Sequence, residues 1–163
     1  MARRFFICLR RTGFTAEFRP ARNAIRLLLL TGSRQGEVLT ARWEDFDLDR
    51  GVWTKPSHHT KQKRIEHVPL SAPALQLLIS MKREASDAFL FPGNVADAPL
   101  KEIGKSWAAI CKTAGIDNTR LHDLRHTYAS HLVSSGMSLP IVGRFLGPRS
   151  DERGNAGGLR ARG

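Results

Sequence analysis

The chain has 163 residues, with 26 Lys+Arg against 15 Asp+Glu and a net charge of +11. Its 41% hydrophobic and 25% charged residues fit one globular domain with a core of its own rather than a disordered chain. Two cysteines, Cys8 and Cys111, exclude a disulfide scaffold and a thiolate zinc site, and no apolar run nears the ~20 residues of a membrane span.

The longest apolar run, residues 25–30, is broken by Arg26. The basic N-terminus lacks an unbroken apolar stretch ending in a cleavage site, so the expectation is a cytoplasmic protein without membrane association. The positive charge lies mostly at the ends: residues 1–26 carry a net +6, residues 144–163 a net +3, and the long middle only +2. This favours a polyanionic partner, and it equally describes solvated basic tails.

Along the chain, residues 1–20 show no clean period and read as a poorly ordered basic lead or a remnant of something longer. Ala24, Ile25, Leu28 and Leu29 then recur at helical spacing, and Thr31-Gly32 closes that helix. A second, short helix is predicted after Ser33, carrying Arg34, Glu37, Val38 and Leu39 to about Arg42. Residues 43–51 are acidic and turn-like. Two strands follow, around 52–55 and 64–70, joined by a polar connection that holds His58, His59 and Lys61. Ser71 caps the next helix, with Pro73 in its first turn and Leu75, Leu77, Leu78 and Met81 along it to about Ala85. Phe89-Leu90-Phe91 is a short apolar run cut off by Pro92-Gly93. The clearest stripe is Leu100, Ile103, Trp107, Ile110, Cys111 and Ala114, ended by Gly115. Another helix spans about 121 to 135 and stops at Gly136. A last one starts near Ser138-Leu139-Pro140 and includes Ile141, Val142, Phe145 and Leu146. From Pro148 onward the sequence holds four Arg, four Gly and a single large apolar residue, Leu159, so 148–163 is expected to be a disordered Arg/Gly-rich tail. There are no internal repeats.

Three segments carry the chemistry: Thr31-Gly-Ser-Arg-Gln-Gly-Glu-Val-Leu39, Thr60-Lys-Gln-Lys-Arg-Ile-Glu-His-Val-Pro-Leu70 and Leu121-His-Asp-Leu-Arg-His-Thr-Tyr-Ala-Ser130. In order, spacing and local wording they resemble the catalytic domain of the tyrosine recombinases, the phage-integrase family, over roughly residues 21–147. The third segment is the specific one, and the lysine segment gains its weight from standing between the other two. The resemblance implies an α+β, mainly α architecture: the tyrosine-recombinase catalytic-domain fold with a small antiparallel β-sheet. It implies site-specific DNA recombination or integration, with strands cut and rejoined through a 3′-phosphotyrosyl intermediate. No metal or other cofactor is expected. The implied partners are double-stranded DNA and other recombinase protomers.

The family's chemistry suits these residue types. Charge developing on the non-bridging phosphate oxygens needs fixed donors, and an arginine offers a planar fork that stays charged at any working pH. By the resemblance, Arg34 and Arg125 form this clamp, and Lys61 protonates the 5′-oxygen leaving group as general acid. His122, one helical turn before Arg125, hydrogen-bonds the phosphate or relays a proton, and Glu37 holds the scaffold. Singly, each has a plainer reading. Arg34 would be a surface charge at a helix start, Lys61 a solvated loop lysine, and His122 with Arg125 a surface hydrogen-bond network. His122 and His126 stand four apart but lack the following glutamate and the cysteine cluster of a zinc site. His58, His59 and His67 read as strand and loop residues, and the stripe through Trp107 as core. Lys63 and Arg64 read equally as phosphate contacts or as a solvated hairpin.

One motif departs. The family's Leu-Gly-His, followed by a tyrosine about nine residues on, is matched at Phe145-Leu146-Gly147, and then Pro148 stands in the place of the histidine. The tyrosine's place falls near Gly157, while the one tyrosine of the chain is Tyr128, a structural position of the motif. The expectation is therefore an incomplete catalytic domain, 21–147, whose tail is out of frame and which binds phosphate without covalent chemistry of its own. Two other readings stay open: a non-catalytic DNA-binding module or regulatory partner of a full-length recombinase, and a basic nucleic-acid binder acting through its tails.

Overall fold

In the computed structural model, residues 19–56 and 65–146 are described. The order of elements is α1 (Arg19–Thr31), α2 (Gln35–Leu39), β1 (Phe46–Asp47), β2 (Val52–Lys55), β3 (Glu66–Pro69), α3 (Ala72–Lys82), α4 (Gly104–Ala114), α5 (Asp123–Ser134) and α6 (Leu139–Leu146). Helices dominate, and the strands form one antiparallel sheet in the order β1-β2-β3.

The fold is built around α1. Pro20 falls in its first turn, where the missing N–H has no helical acceptor to lose. Beyond it the helix buries Ala21, Ala24, Ile25, Leu27, Leu28 and Leu29, so apolar side chains leave it on nearly every side. It packs against α2, α3, α4 and α5. Leu77 and Leu78 of α3, Trp107 and Ile110 of α4, and Leu124 of α5 join it in one continuous core. The predicted stripe on α4 is there, although Leu100 and Ile103 precede the helix, which starts at Gly104.

Several boundaries differ from expectation. α2 stops at Leu39 rather than near Arg42, and Arg34 is its extended N-cap, with φ −77° and ψ 149°. Glu37 explains the late start, because its carboxylate accepts the Arg34 N–H at 3.1 Å and closes the first turn. Residues 43–51 are more than a turn: Trp43–Asp45 is a short 3-10 helix, and β1 follows. Phe46 drives this pairing, since its ring stacks on Trp53 of β2 at 5.1 Å and 17°, directly across the ladder. α3 ends at Lys82, three residues early, and Arg83 to Ala85 continue as turns bonded to Met81 and Lys82. Ser71 is its N-cap by backbone conformation, but its hydroxyl makes no capping bond. Phe89, Leu90 and Phe91 are buried, and Leu90 donates to the Ala41 carbonyl at 2.9 Å, tying that run to the end of α2. Residues 1–18, the connection 57–64 with His58, His59, Lys61, Lys63 and Arg64, and the tail from 147 lie outside the described residues. No helix among the described residues is long and apolar enough to cross a membrane.

Candidate active site

The site forms where the end of α1 meets the start of α5. Thr31 closes α1 by donating its hydroxyl to the Leu27 carbonyl at 2.7 Å. Gly32 then turns the backbone into the left-handed region at φ +62°, where a side chain costs most and glycine least. That turn directs the Gly32 carbonyl toward α5, where the Arg125 guanidinium donates to it at 2.7 Å. Two residues later Arg34 begins α2. Its guanidinium donates to Glu37 Oε1 at 2.9 Å, and its backbone N–H to Oε2.

α5 contributes the other side. His122 is its N-cap and Arg125 lies in its first turn, so the i, i+3 spacing turns both toward α1. A small cleft of about 70 Å³ is lined by Ser33, Arg34, Gln35, His122 and Arg125, with Leu28, Leu121 and Leu124 completing its wall. Three of the four residues singled out from the sequence thus converge: Arg34, His122 and Arg125. The fourth, Lys61, lies outside the described residues. The His122 ring also meets that of His126 edge-on at 5.3 Å between centroids. His67 is an ordinary strand residue, exposed and 3.1 Å from the Thr54 hydroxyl.

Charge is concentrated here. Burial, then the nearby Arg34 charge, pull Arg125 below the usual arginine range, while Glu37 and Glu66 act in the opposite sense. Burial opposes the Glu37 carboxylate, but Lys55 and the bonds from Arg34 outweigh it and hold the carboxyl below its usual range. Lys55 was not anticipated. It is 3% exposed, and its Nζ donates to Glu37 Oε2 at 2.6 Å. The sequence held the signal: a strand places i and i+2 on one face, so an inward Trp53 carries Lys55 inward. Tyr128 is half-buried, and a Cβ at Gly32 would run into its ring. Burial raises its hydroxyl above the usual tyrosine range.

This arrangement sits within a wider likeness. Residues 15–154 match the model of the phage integrase family. The chain belongs to the phage integrase family. Its mainly helical domain with a three-stranded antiparallel sheet is the tyrosine-recombinase catalytic-domain fold. Among phage integrase relatives, the prophage integrase IntZ of Escherichia coli K12 is 35% identical over 141 residues, 83% of this chain and 33% of that protein. The integrase of Salmonella phage P22 is 27% identical over 148 residues, 82% of this chain and 37% of that protein. The XerH site-specific recombinase bound to palindromic difH substrate, in a post-cleavage complex, matches with a TM-score of 0.74 at 26% identity, over 91% of this chain and 44% of that one. The present chain therefore spans less than half the length of these relatives.

Proposed function

We propose that this chain is the DNA-phosphate-binding part of a site-specific recombinase, gripping one backbone phosphate of double-stranded DNA between Arg34 and Arg125. The observation that carries this reading is the cleft in which the two arginines and His122 meet. A pentavalent phosphate gains charge on its non-bridging oxygens, and two preoriented guanidinium groups meet that charge without reorganising. Arg34 is oriented by Glu37 and Arg125 by the Gly32 carbonyl, so neither has to be ordered by the DNA. His122, at the rim, donates to the phosphate or passes on a proton. Lys61, on the connection between β2 and β3, takes the role of general acid toward the 5′-oxygen. The recombinase unit is residues 21–147, and it acts in the cytoplasm, where its DNA is.

The same reading gives this chain no covalent step of its own. A 3′-phosphotyrosyl link requires a tyrosine in line with the leaving oxygen, and the 163 residues hold only Tyr128. Its ring is committed to Gly32 and its hydroxyl is made less acidic by burial. Incubation with a nicked suicide duplex tests both halves. DNA binding that falls on Arg34→Ala and on Arg125→Ala, with no denaturation-resistant protein–DNA adduct, is the expected result. An adduct would refute the non-covalent half, and binding indifferent to both arginines would refute the cleft.

A further inference from the structure

β2 sends a lysine inward. Its residues alternate between the two faces, and Trp53 and Lys55 on the covered face are 1% and 3% exposed. The Lys55 ammonium lies 4.7 Å from the centroid of the Trp53 ring and 2.6 Å from Glu37 Oε2. Glu37 in turn receives the guanidinium and the backbone N–H of Arg34. A cation, an anion and a second cation therefore run from the sheet to the cleft, linked through one carboxylate. A charged lysine in such a place is costly unless paired, and an apolar side chain would fill the space with no such penalty. Packing does not account for it.

Charge balance does. Five charged groups act on one another here: Arg34 and Glu37 on α2 and its cap, Lys55 on β2, Glu66 directly across the ladder on β3, and Arg125 on α5. Together they carry a net +1. Without Lys55 these described residues carry none, because Glu37 and Glu66 cancel both arginines, and their pull on a phosphate weakens.

We propose that Lys55 is a positioning residue of the phosphate cleft: it neutralises Glu37, which can then hold Arg34 in place without cancelling the charge the cleft offers to DNA. This rests on Arg34 and Arg125 being the phosphate ligands. Burial pulls Lys55 below the usual lysine range, while Glu37 and Glu66 hold it up and Arg125 presses it further down. Glu37 ends below its usual range, as a carboxylate flanked by two cations should.

The test is a binding titration of a fluorescent DNA duplex by the full chain, from pH 6 to pH 9, at about 0.1 M salt. Removal of one effective cation at that salt weakens binding roughly five- to tenfold, and this is the loss expected for Lys55→Met. The variant should also show a steeper pH dependence than the wild type. Glu37 without its principal cation takes up a proton nearer neutrality, so affinity recovers as the pH falls. Lys55→Arg should recover most of the affinity, and Lys55→Met combined with Glu37→Gln should recover both affinity and the wild-type profile. A folded Lys55→Met variant with wild-type affinity and profile overturns the proposal. Should that variant not fold, the double variant decides: recovered binding supports the proposal, and a folded protein still about tenfold weaker shows Lys55 acting on DNA directly and overturns it. If Arg34→Ala and Arg125→Ala bind as the wild type does, the cleft itself is wrong and this proposal falls with it. If they bind weakly and Lys55→Met does not, only the role of Lys55 is lost.

Discussion

At φ +62° Gly32 leaves α1 in a left-handed turn, and that turn points its carbonyl at Arg125 while leaving no room for a Cβ beneath the Tyr128 ring and the Leu146 methyl. Gly32→Ala meets both obstacles, an unfavourable backbone conformation and an overpacked contact. Together these cost on the order of 2–3 kcal/mol of stability, measurable by urea unfolding. DNA affinity should fall with it, because the displaced carbonyl is what orients Arg125. Glu37 shows the same dependence of site on fold through its charge. Its folded pKa lies below the ordinary value of 4.5, so its ionised form stabilises the protein above that pH. This contribution is lost as the pH drops through the folded value. Melting temperatures against pH should therefore decline more steeply below about pH 4.5 in the wild type than in Glu37→Gln. At neutral pH the variant should be the weaker protein by about 3 kcal/mol, since it leaves Lys55 buried without its anion.

Among the elements, α5 holds two of the three converging residues on little apolar contact. Of its own residues only Leu124 is buried, and besides that side chain the half-buried Tyr128 ring over Gly32 and the Arg125–Gly32 bond fix it against α1. Leu124→Ala should cost about 3 kcal/mol and weaken DNA binding beyond what partial unfolding explains, because both Arg125 and His122 ride on that helix. Far-ultraviolet circular dichroism alongside the binding titration separates the two effects. The helices were legible because their apolar spacing follows 3.6 residues, as in Ala24, Ile25, Leu28 and Leu29 of α1 or Trp107, Ile110 and Cys111 of α4. Arg34, His122 and Arg125 were legible as a set only through the resemblance of their segments to the tyrosine-recombinase catalytic domain, since singly each has a plainer reading. β1 was not, since two residues give no period and Phe46 finds its partner only in three dimensions. Lys55 was missed for a related reason: a lysine in a strand is read as exposed, and only the buried Trp53 two residues before it reverses that.

On the scale of the molecule, the charge that attracts DNA has two separate addresses. The two ends account for +9 of the net +11, whereas the cleft charges belong to the near-neutral middle. Long-range attraction and phosphate placement can therefore be measured apart through salt dependence. Every phosphate that a variant ceases to neutralise lowers the slope of log affinity against log salt by about 0.9. Arg34→Ala and Arg125→Ala, which share one phosphate, should together reduce it by no more than about 0.9, along with the affinity. Changing Arg149, Arg153, Arg160 and Arg162 together to Gln should reduce the slope by up to about 3.6 if all four meet phosphates. The decisive comparison combines the two sets. If the cleft orders a phosphate, the arginine variants lower affinity by the same factor with the tail arginines present or replaced, because the two regions contribute independently. A basic chain that binds through its ends would instead lose its affinity with the tail arginines and show no further drop from Arg34 or Arg125.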